Sequence, residues 1–481
     1  MASEFAWSPY LTAAVIVLDI VAIVRALWRG HGVEGTLAWI LAILAFPGLG
    51  AVLYFALSGP SIKRTTRRMR QATLAARDTL ARQGFEALPA DAAFRVHEPT
   101  TPVLELAASL SGVRPTRGNC VALLCEDEGT FRRIEQLVEH ARQHVWAEYY
   151  IIRNDETGSR FLDLLAAKAA AGVEVRLLYD AFGSLGLDAR RLAALRRAGG
   201  LTESFLPVNP LRRRWSVHLR NHRKLVIIDG EVGFTGGMNI GDEYSGRARR
   251  RGAQHYIDTH LELRGPAVAD MAQIFIEDWA FATDEVLEPP NCAVPLGGGN
   301  SIVALVESGP DQQYNAHRMV YFTGIAAAAQ SVYLTTPYFI PDELTIQALV
   351  SAALRGVDVR LLLPARNDVW VVGAAARSHY RELVAAGVRV FEYLPAMLHG
   401  KWMVVDGQWG IVGSANVDMR SFRLNFELGA VVYDPEFAAE LQRRFVKDLE
   451  SSREITWSMV QSRSRLGRLG DNVARLLSPL L

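Results

Sequence analysis

Cysteine is scarce in this chain: three residues among 481, Cys120, Cys125 and Cys292. An odd, scattered set builds no disulfide framework, and no four-ligand zinc spacing accompanies it. Excess charge is also missing. The 52 Lys and Arg nearly cancel the 51 Asp and Glu, leaving a net charge of +1. No global field therefore draws the chain to a polyanion, which argues against nucleic acid as a partner. The sequence contains no Walker-type phosphate loop after a strand and no H-E-x-x-H metal motif. Charge disappears altogether between Gly35 and Ile62.

That last absence has a direct physical meaning. About 20 apolar residues suffice for a helix to cross the hydrocarbon core of a bilayer. The segment Trp7 to Trp28 is apolar apart from Asp19 and Arg25, and only the short connector "RGHGVEG" separates it from the next apolar run. The pattern predicts an N-terminal transmembrane helical hairpin over residues 1–58, with Pro47 tolerated inside a membrane helix. A cleaved signal peptide fits less well, because no basic n-region precedes the first run. The basic cluster Lys63, Arg64, Arg67, Arg68 and Arg70 follows at once. By the positive-inside rule it puts the bulk of the chain in the cytoplasm, and it suits anionic headgroups.

Beyond a basic helix and a Pro/Ala linker (59–103), strand and helix patterns alternate twice. "HVWAEYYIIR", "SRFLDLLAAKAAAG" and "VEVRLLYD" are echoed by "SVYLTTPYFI", "DELTIQALVSAALRG" and "VDVRLLLP". The fold class is α/β, with two similar halves at 104–290 and 291–450 joined in the Pro/Gly-rich run 287–300. Such units favour a mostly parallel sheet covered by helices. The remaining stretch, 451–481, is basic and amphipathic, and lies either on a membrane or against the domain.

The halves share more than a pattern. "NHRKLVIIDGEVGFTGGMN" and "LHGKWMVVDGQWGIVGSAN" both carry H-x-K-x4-D: His222, Lys224 and Asp229, then His399, Lys401 and Asp406. Asn239 and Asn416 each follow their histidine by 17 residues, and every matched position is offset by 177. Two copies in register indicate an internal duplication. Strand alternation puts each His and Lys on one face, so both pairs can enter one cleft about a pseudo-twofold axis. Two imidazoles can then share nucleophilic attack and proton transfer. Two ammonium groups and two carboxamides can hold phosphate oxygens. A lysine beside each histidine repels a divalent ion, so the site reads as metal-free and needs no cofactor. Asp229 and Asp406 complete the catalytic motif, although their place before glycine also suits a turn. Asp258 and Glu427 sit in comparable strand-like segments. Each reads either as an acceptor orienting a histidine or as a surface carboxylate.

These residues identify a resemblance. The paired motif with "GGMN" and "GSAN" resembles the phospholipase D superfamily. The hairpin, the basic segment after it, "TTPYFIPDE", "GSANVDMRSFRLNFE" and the final "RLLSPLL" are similar to bacterial cardiolipin synthases. The resemblance implies two phospholipase D-like halves and transfer of a phosphatidyl group between two phosphatidylglycerols, releasing glycerol. It implies His222 as nucleophile and His399 as the acid that protonates the leaving glycerol. Lys224, Lys401, Asn239 and Asn416 would clamp the phosphate. It also implies a multi-pass protein of the bacterial inner membrane, with phosphatidylglycerol and anionic lipids as partners. The basic, aromatic run "LRRRWSVHLRNHRK" suits such headgroups. A membrane-bound hydrolase, or a transferase using another alcohol, would draw on the same residues. Two departures stand out: Gly237 replaces the serine that Ser414 supplies in the second copy, and "YIDTH" lacks a tryptophan before its aspartate.

Overall fold

A computed structural model describes residues 9–29, 32–57, 60–85, 102–111, 113–125, 127–208, 216, 218–292, 298–312, 314–476 and 478. Most of the arginine-rich run at 211–215, most of the segment joining the halves (293–297) and the last three residues lie outside that set. The chain forms two compact units, divided after Thr66.

In the N-terminal unit, Pro9–Arg29 is one uninterrupted helix, and its Pro9–Trp28 stretch is long and apolar enough to span a membrane. The second apolar run is broken. Helix Gly32–Ala45 stops at Pro47, and a new helix, Leu49–Leu57, begins beyond it. Proline removes a donor from the ladder and crowds the preceding turn, and Gly48 takes a positive φ of 74° at the break. Asp19, the single acid of the first helix, accepts the Gly48 N–H at 3.0 Å. A backbone donor freed by the break thus has a partner where lipid offers none. Ala22, Ala26, Ile43, Ala51 and Tyr54 pack together, while Ile16, Val17, Ile20 and Val24 point outward. Apolar surface on all sides is the mark of a helix in lipid, and the unit fits membrane association.

The second unit is built on one 16-stranded sheet, fifteen strands in a continuous path and the two-residue strand Arg220–Asn221 paired beside it. Its first half supplies β1 (Thr116–Leu124), β2 (His144–Tyr149), β3 (Glu174–Asp180), β4 (Leu201–Phe205), β5 (Lys224–Ile228), β6 (Val232–Gly236) and β7 (His260–Arg264). The second half supplies β8 (Ser301–Ser308), β9 (Ser331–Thr335), β10 (Asp358–Pro364), β11 (Arg389–Tyr393), β12 (Trp402–Val405), β13 (Trp409–Gly413) and β14 (Asn425–Tyr433). β15 (Ser452–Glu454) closes one edge. The strand order is β15-β11-β10-β9-β12-β13-β14-β8-β1-β7-β6-β5-β2-β3-β4. Outward from the central β1–β8 pair, each strand of one half has its counterpart in the other, so the duplication is a pseudo-twofold axis through the sheet.

Helices follow the same symmetry. Glu156–Ala170 after β2 matches Glu343–Leu354 after β9, and each is capped at its start by an aspartate, Asp155 or Asp342. Those carboxylates accept the N–H groups left free at a helix start. One apolar cluster fills the first half around Val145, Leu165 and Phe234. A second surrounds Val332, Leu349 and Ile411.

The expected parallel sheet is only partly present. β2, β3 and β4 run parallel, as do β9, β10 and β11. The motif strands instead form hairpins, β5–β6 and β12–β13, antiparallel to their neighbours. The cause is the "DG" that ends each motif. Asp229 and Gly230 have φ of 53° and 68°, Asp406 and Gly407 of 52° and 63°. Positive φ at both central residues, with the Glu231 N–H on the Ile228 carbonyl and the Gln408 N–H on the Val405 carbonyl, makes a type I′ turn, and each strand reverses within three residues. Helical connections were legible from the apolar periodicity, but these tight reversals convert the centre of each half to antiparallel pairing.

Behind the first motif lies a buried ion network. Arg223, between His222 and Lys224, donates to Asp278 at 2.5 Å and to Glu307 at 3.2 Å. Arg77, on helix Pro60–Arg82, donates to Glu277 at 2.6 Å and to Glu307 at 2.7 Å. Burial and the neighbouring Asp278 push the Glu148 carboxyl well above its usual range. The network ties the first motif strand to β8 of the other half. Removing one partner leaves buried charge uncompensated. Arg223→Met should therefore lower unfolding free energy by about 3–5 kcal/mol, read from denaturant melts of the detergent-solubilised protein.

Candidate active site

The two motifs meet at the pseudo-twofold axis, and each histidine is held by the opposite half. The short strand Arg220–Asn221 pairs with Asn425–Phe426 of β14, and the His222 N–H donates to the Phe426 carbonyl at 2.8 Å. The next residue, Glu427, receives His222 Nδ1 at 2.9 Å. The mirror arrangement pairs Met397–Leu398 with Tyr256–Ile257, and the His399 N–H donates to the Ile257 carbonyl at 2.7 Å. Asp258 follows and lies 2.5 Å from His399 Nδ1. With a carboxylate at Nδ1, the proton belongs there and the lone pair is left on Nε2.

Both histidines line a cavity of about 330 Å³ together with Asn239, Asn416, Tyr150, Tyr244, Tyr256, Tyr338, Asp368, Arg153 and Arg420. Tyr150 meets the His222 ring edge-on at 4.7 Å, and Tyr256 stacks on His399 at 5.2 Å. Asn239 is fixed by the Ile151 N–H and the Tyr244 hydroxyl. A larger hollow, about 770 Å³, lies beside Leu192, Arg196 and Glu203 and brings none of the motif residues together.

Lys224 and Lys401 are buried beneath the histidines rather than on the cavity wall. Each ammonium donates to the carbonyl of its own histidine at 2.5 Å. Lys401 Nζ also lies 2.8 Å from His399 Nδ1 and 3.7 Å from Asp258. The electrostatics follow from this crowding. Burial pushes His222 down to about 4, against the pull of Glu427. Burial lowers Lys224 to about 7, aided by Lys401 and opposed by Glu427. His399 and Lys401 are lowered as well, chiefly by burial. Burial acts to raise Glu427, but the charge and hydrogen bond of His222 overcome it, with Lys224 and the Ser414 hydroxyl, and hold it at about 2. The resting site thus contains a neutral His222 above an ionised Glu427 and a poised Lys224, a set suited to attack on phosphorus.

Asp229 and Asp406 require a correction: they do not belong to the reacting centre. The Asp229 carboxylate accepts the N–H groups of Arg142, Gln143 and His144 at 2.7–2.9 Å. Asp406 does the same for Ala329, Gln330 and Ser331. Each anchors its hairpin to the start of the neighbouring strand, so the motif's third letter is architectural. The departure at Gly237 also has a physical cause. A Cβ there would lie 2.0 Å from Asp258 Oδ1, whereas Ser414 fills the equivalent place and donates to the longer Glu427 at 2.5 Å. The tyrosines escaped notice, although a signal existed: "YII" at Tyr150 and "YFI" at Tyr338 follow equivalent strands.

A continuous duplicated sheet with crossed His–carboxylate pairs in one cavity defines a two-motif member of the phospholipase D superfamily. Residues 134–279 and 321–449 match the family described as "Cardiolipin synthase, PLD-like domain", and 17–59 match "Phospholipase_D-nuclease N-terminal". The chain is 37% identical over 457 residues to a cardiolipin synthase of Geobacillus sp. (strain WCH70), covering 93% of this chain and 89% of that one. It is 36% identical over 473 residues to cardiolipin synthase A of Pseudomonas fluorescens (strain Pf-5), covering 98% of each. Among solved structures, a phosphatidylserine synthase of Haemophilus influenzae shares the fold, with a TM-score of 0.58 at 14% identity over 79% of this chain and all of that one. The chain belongs to the cardiolipin synthase family.

Two outcomes follow from this geometry. Asp229→Ala or Asp406→Ala should cost about 2–4 kcal/mol of stability by stranding backbone donors, while kcat of the folded fraction stays within a few-fold. The pH profile of kcat/KM, which reports the free enzyme, should rise as His222 loses its proton near 4 and fall as His399, whose imidazolium burial disfavours, and Lys224, near 7, lose theirs. Bound phosphate, an anion, should move the upper limb of kcat to higher pH.

Proposed function

We propose that the chain is a cardiolipin synthase, a phosphatidyltransferase that joins two phosphatidylglycerols and releases glycerol. The observation that carries this reading is the crossed pair: two histidines in one cavity, each with Nδ1 held by a carboxylate of the other half. One imidazole can attack while the other handles the proton.

In the first step His222 Nε2 attacks phosphorus. A P–N bond forms, the bond to the glycerol oxygen breaks, and His399, which enters this step as the imidazolium with Asp258 balancing its charge, gives that oxygen its Nε2 proton. In the second step the hydroxyl of another phosphatidylglycerol attacks the phosphorus, His399 takes back the proton, and the P–N bond breaks. One phosphodiester replaces another, so no nucleotide is consumed. Glu427 and Asp258 stabilise whichever imidazole is positive. Lys224 and Lys401 supply charge from below, and Asn239 and Asn416 are the amides at the wall that would hold phosphate oxygens. Arg153 and Arg420 give the cavity cations for an anionic headgroup. Assignment of His222 as nucleophile follows its place in the family pattern.

The N-terminal unit would cross the membrane twice, its second span accommodating the break at Pro47. The basic cluster at 63–70 supports a cytoplasmic catalytic unit in the bacterial inner membrane. The deciding assay supplies phosphatidylglycerol alone in mixed micelles and identifies products by mass. Cardiolipin with one equivalent of glycerol is expected, together with an acid-labile phosphatidyl adduct on His222 that His222→Ala abolishes. Phosphatidic acid as the main product would make the chain a hydrolase. An adduct on His399 would exchange the two roles.

A further inference from the structure

The helix Arg465–Leu476 is the most sharply two-sided element of the catalytic unit. Leu466, Leu469, Val473 and Leu476 are 81%, 59%, 52% and 78% exposed. At about 100° per residue they fall within an arc of about 80°. The opposite side carries Gly467, Asp471 and Ala474, and it is this side that meets the protein. Ala474 packs with Ile340 and Val372, both of which line the active-site cavity. Asp471, the helix's single acid, is buried and paired with Arg463 at 2.8 Å and with Arg377 at 3.4 Å. The charge left for the outside is therefore positive: Arg465, Arg468 and Arg475, on one flank of the apolar stripe.

We infer that this stripe is an interfacial contact with an anionic phospholipid bilayer, which places the catalytic cavity against the surface that holds its substrate. The inference rests on the lipid-transferase reading. Sequence pattern left two positions open for this segment, on a membrane or against the domain, and the helix does both, with different faces. Its inner face is small and polar enough to seat on the helix Trp370–Ala385, whose start forms the cavity wall. Its outer face is large and apolar beside three arginines, the arrangement that sinks into a headgroup layer while cations meet lipid phosphates. A second copy of this chain is a poorer occupant, because apposed copies of the same face bring arginines toward arginines. Trp370, 77% exposed at the first turn of the helix beneath, adds an aromatic side chain suited to the same interface.

The test keeps the full chain. Leu469→Glu with Val473→Glu alters two outward side chains that touch neither the cavity nor the fold's core. The double variant and the parent would be reconstituted in phosphatidylethanolamine–phosphatidylglycerol vesicles and also assayed on short-chain phosphatidylglycerol below its micelle concentration. The inference expects roughly a tenfold or greater fall in vesicle turnover, with short-chain turnover and thermal midpoint unchanged. A photoreactive phenylalanine at position 469 should then crosslink to lipid. Equal vesicle rates, or crosslinking to a second chain, would overturn it. A loss on both substrates with an intact fold would also overturn it, by making the helix part of the site rather than of the interface. A parent enzyme that forms no cardiolipin would instead overturn the functional reading.

Discussion

Everything at the catalytic centre depends on one exchange across the pseudo-twofold axis. A two-residue strand of each half pairs with a strand of the other, Arg220–Asn221 with the start of β14 and Met397–Leu398 with Tyr256–Ile257, and the first residue beyond it is the histidine. Its N–H is taken by a carbonyl, and its ring by the carboxylate one residue further along the same foreign strand. Backbone register therefore sets the side-chain geometry. No histidine has its orienting acid within its own half, so neither half alone contains a complete imidazole–carboxylate pair.

The duplication made much of this legible beforehand. A 177-residue offset shared by His, Lys, Asp and Asn required two equivalent halves and one shared cleft. The repeated strand and helix patterns located β2, β3, β9 and β10, because apolar periodicity is set by which face is buried. Asp258 and Glu427 stood out by position, but not which histidine each would serve, since that partnership arises only from the crossed strands. Asp229 and Asp406 misled for a related reason. Their spacing from histidine is fixed by the hairpin they turn, and a motif constant for architectural reasons reads the same as one constant for chemistry. Tyr256 and Asp368 left no repeated pattern: Tyr256 stands on a two-residue strand where the other half has Asn425, and Asp368 lies in the connection between β10 and the helix Trp370–Ala385.

Equivalence of the halves stops at the backbone. Between histidine and lysine the first copy has Arg223, the hub of a buried ion network, and the second has Gly400, where a Cβ would press on Trp402 Nε1 at 3.0 Å. A short carboxylate sits over Gly237 on one side and a long one against Ser414 on the other. Two chemically similar imidazoles are thus embedded in different surroundings. Such division is what a two-step transfer needs, one ring to become covalently occupied and the other to keep cycling a proton.

The pairing of β1 with β8, Thr116 against Val303 and Asn119 against Ser301, makes the two halves a single sheet. The halves are thus joined through backbone pairing, with a register shift between Thr116 and Asn119, rather than by a flexible linker between separate domains. Substrate and product then share the rim of one chamber. In a double-displacement reaction the small alcohol departs while the acylated phosphoryl group stays attached, and the incoming lipid enters by the same doorway. With the cavity placed at the bilayer as inferred above, lipids reach and leave that rim by sideways diffusion, so bilayer fluidity becomes one of the terms that set turnover.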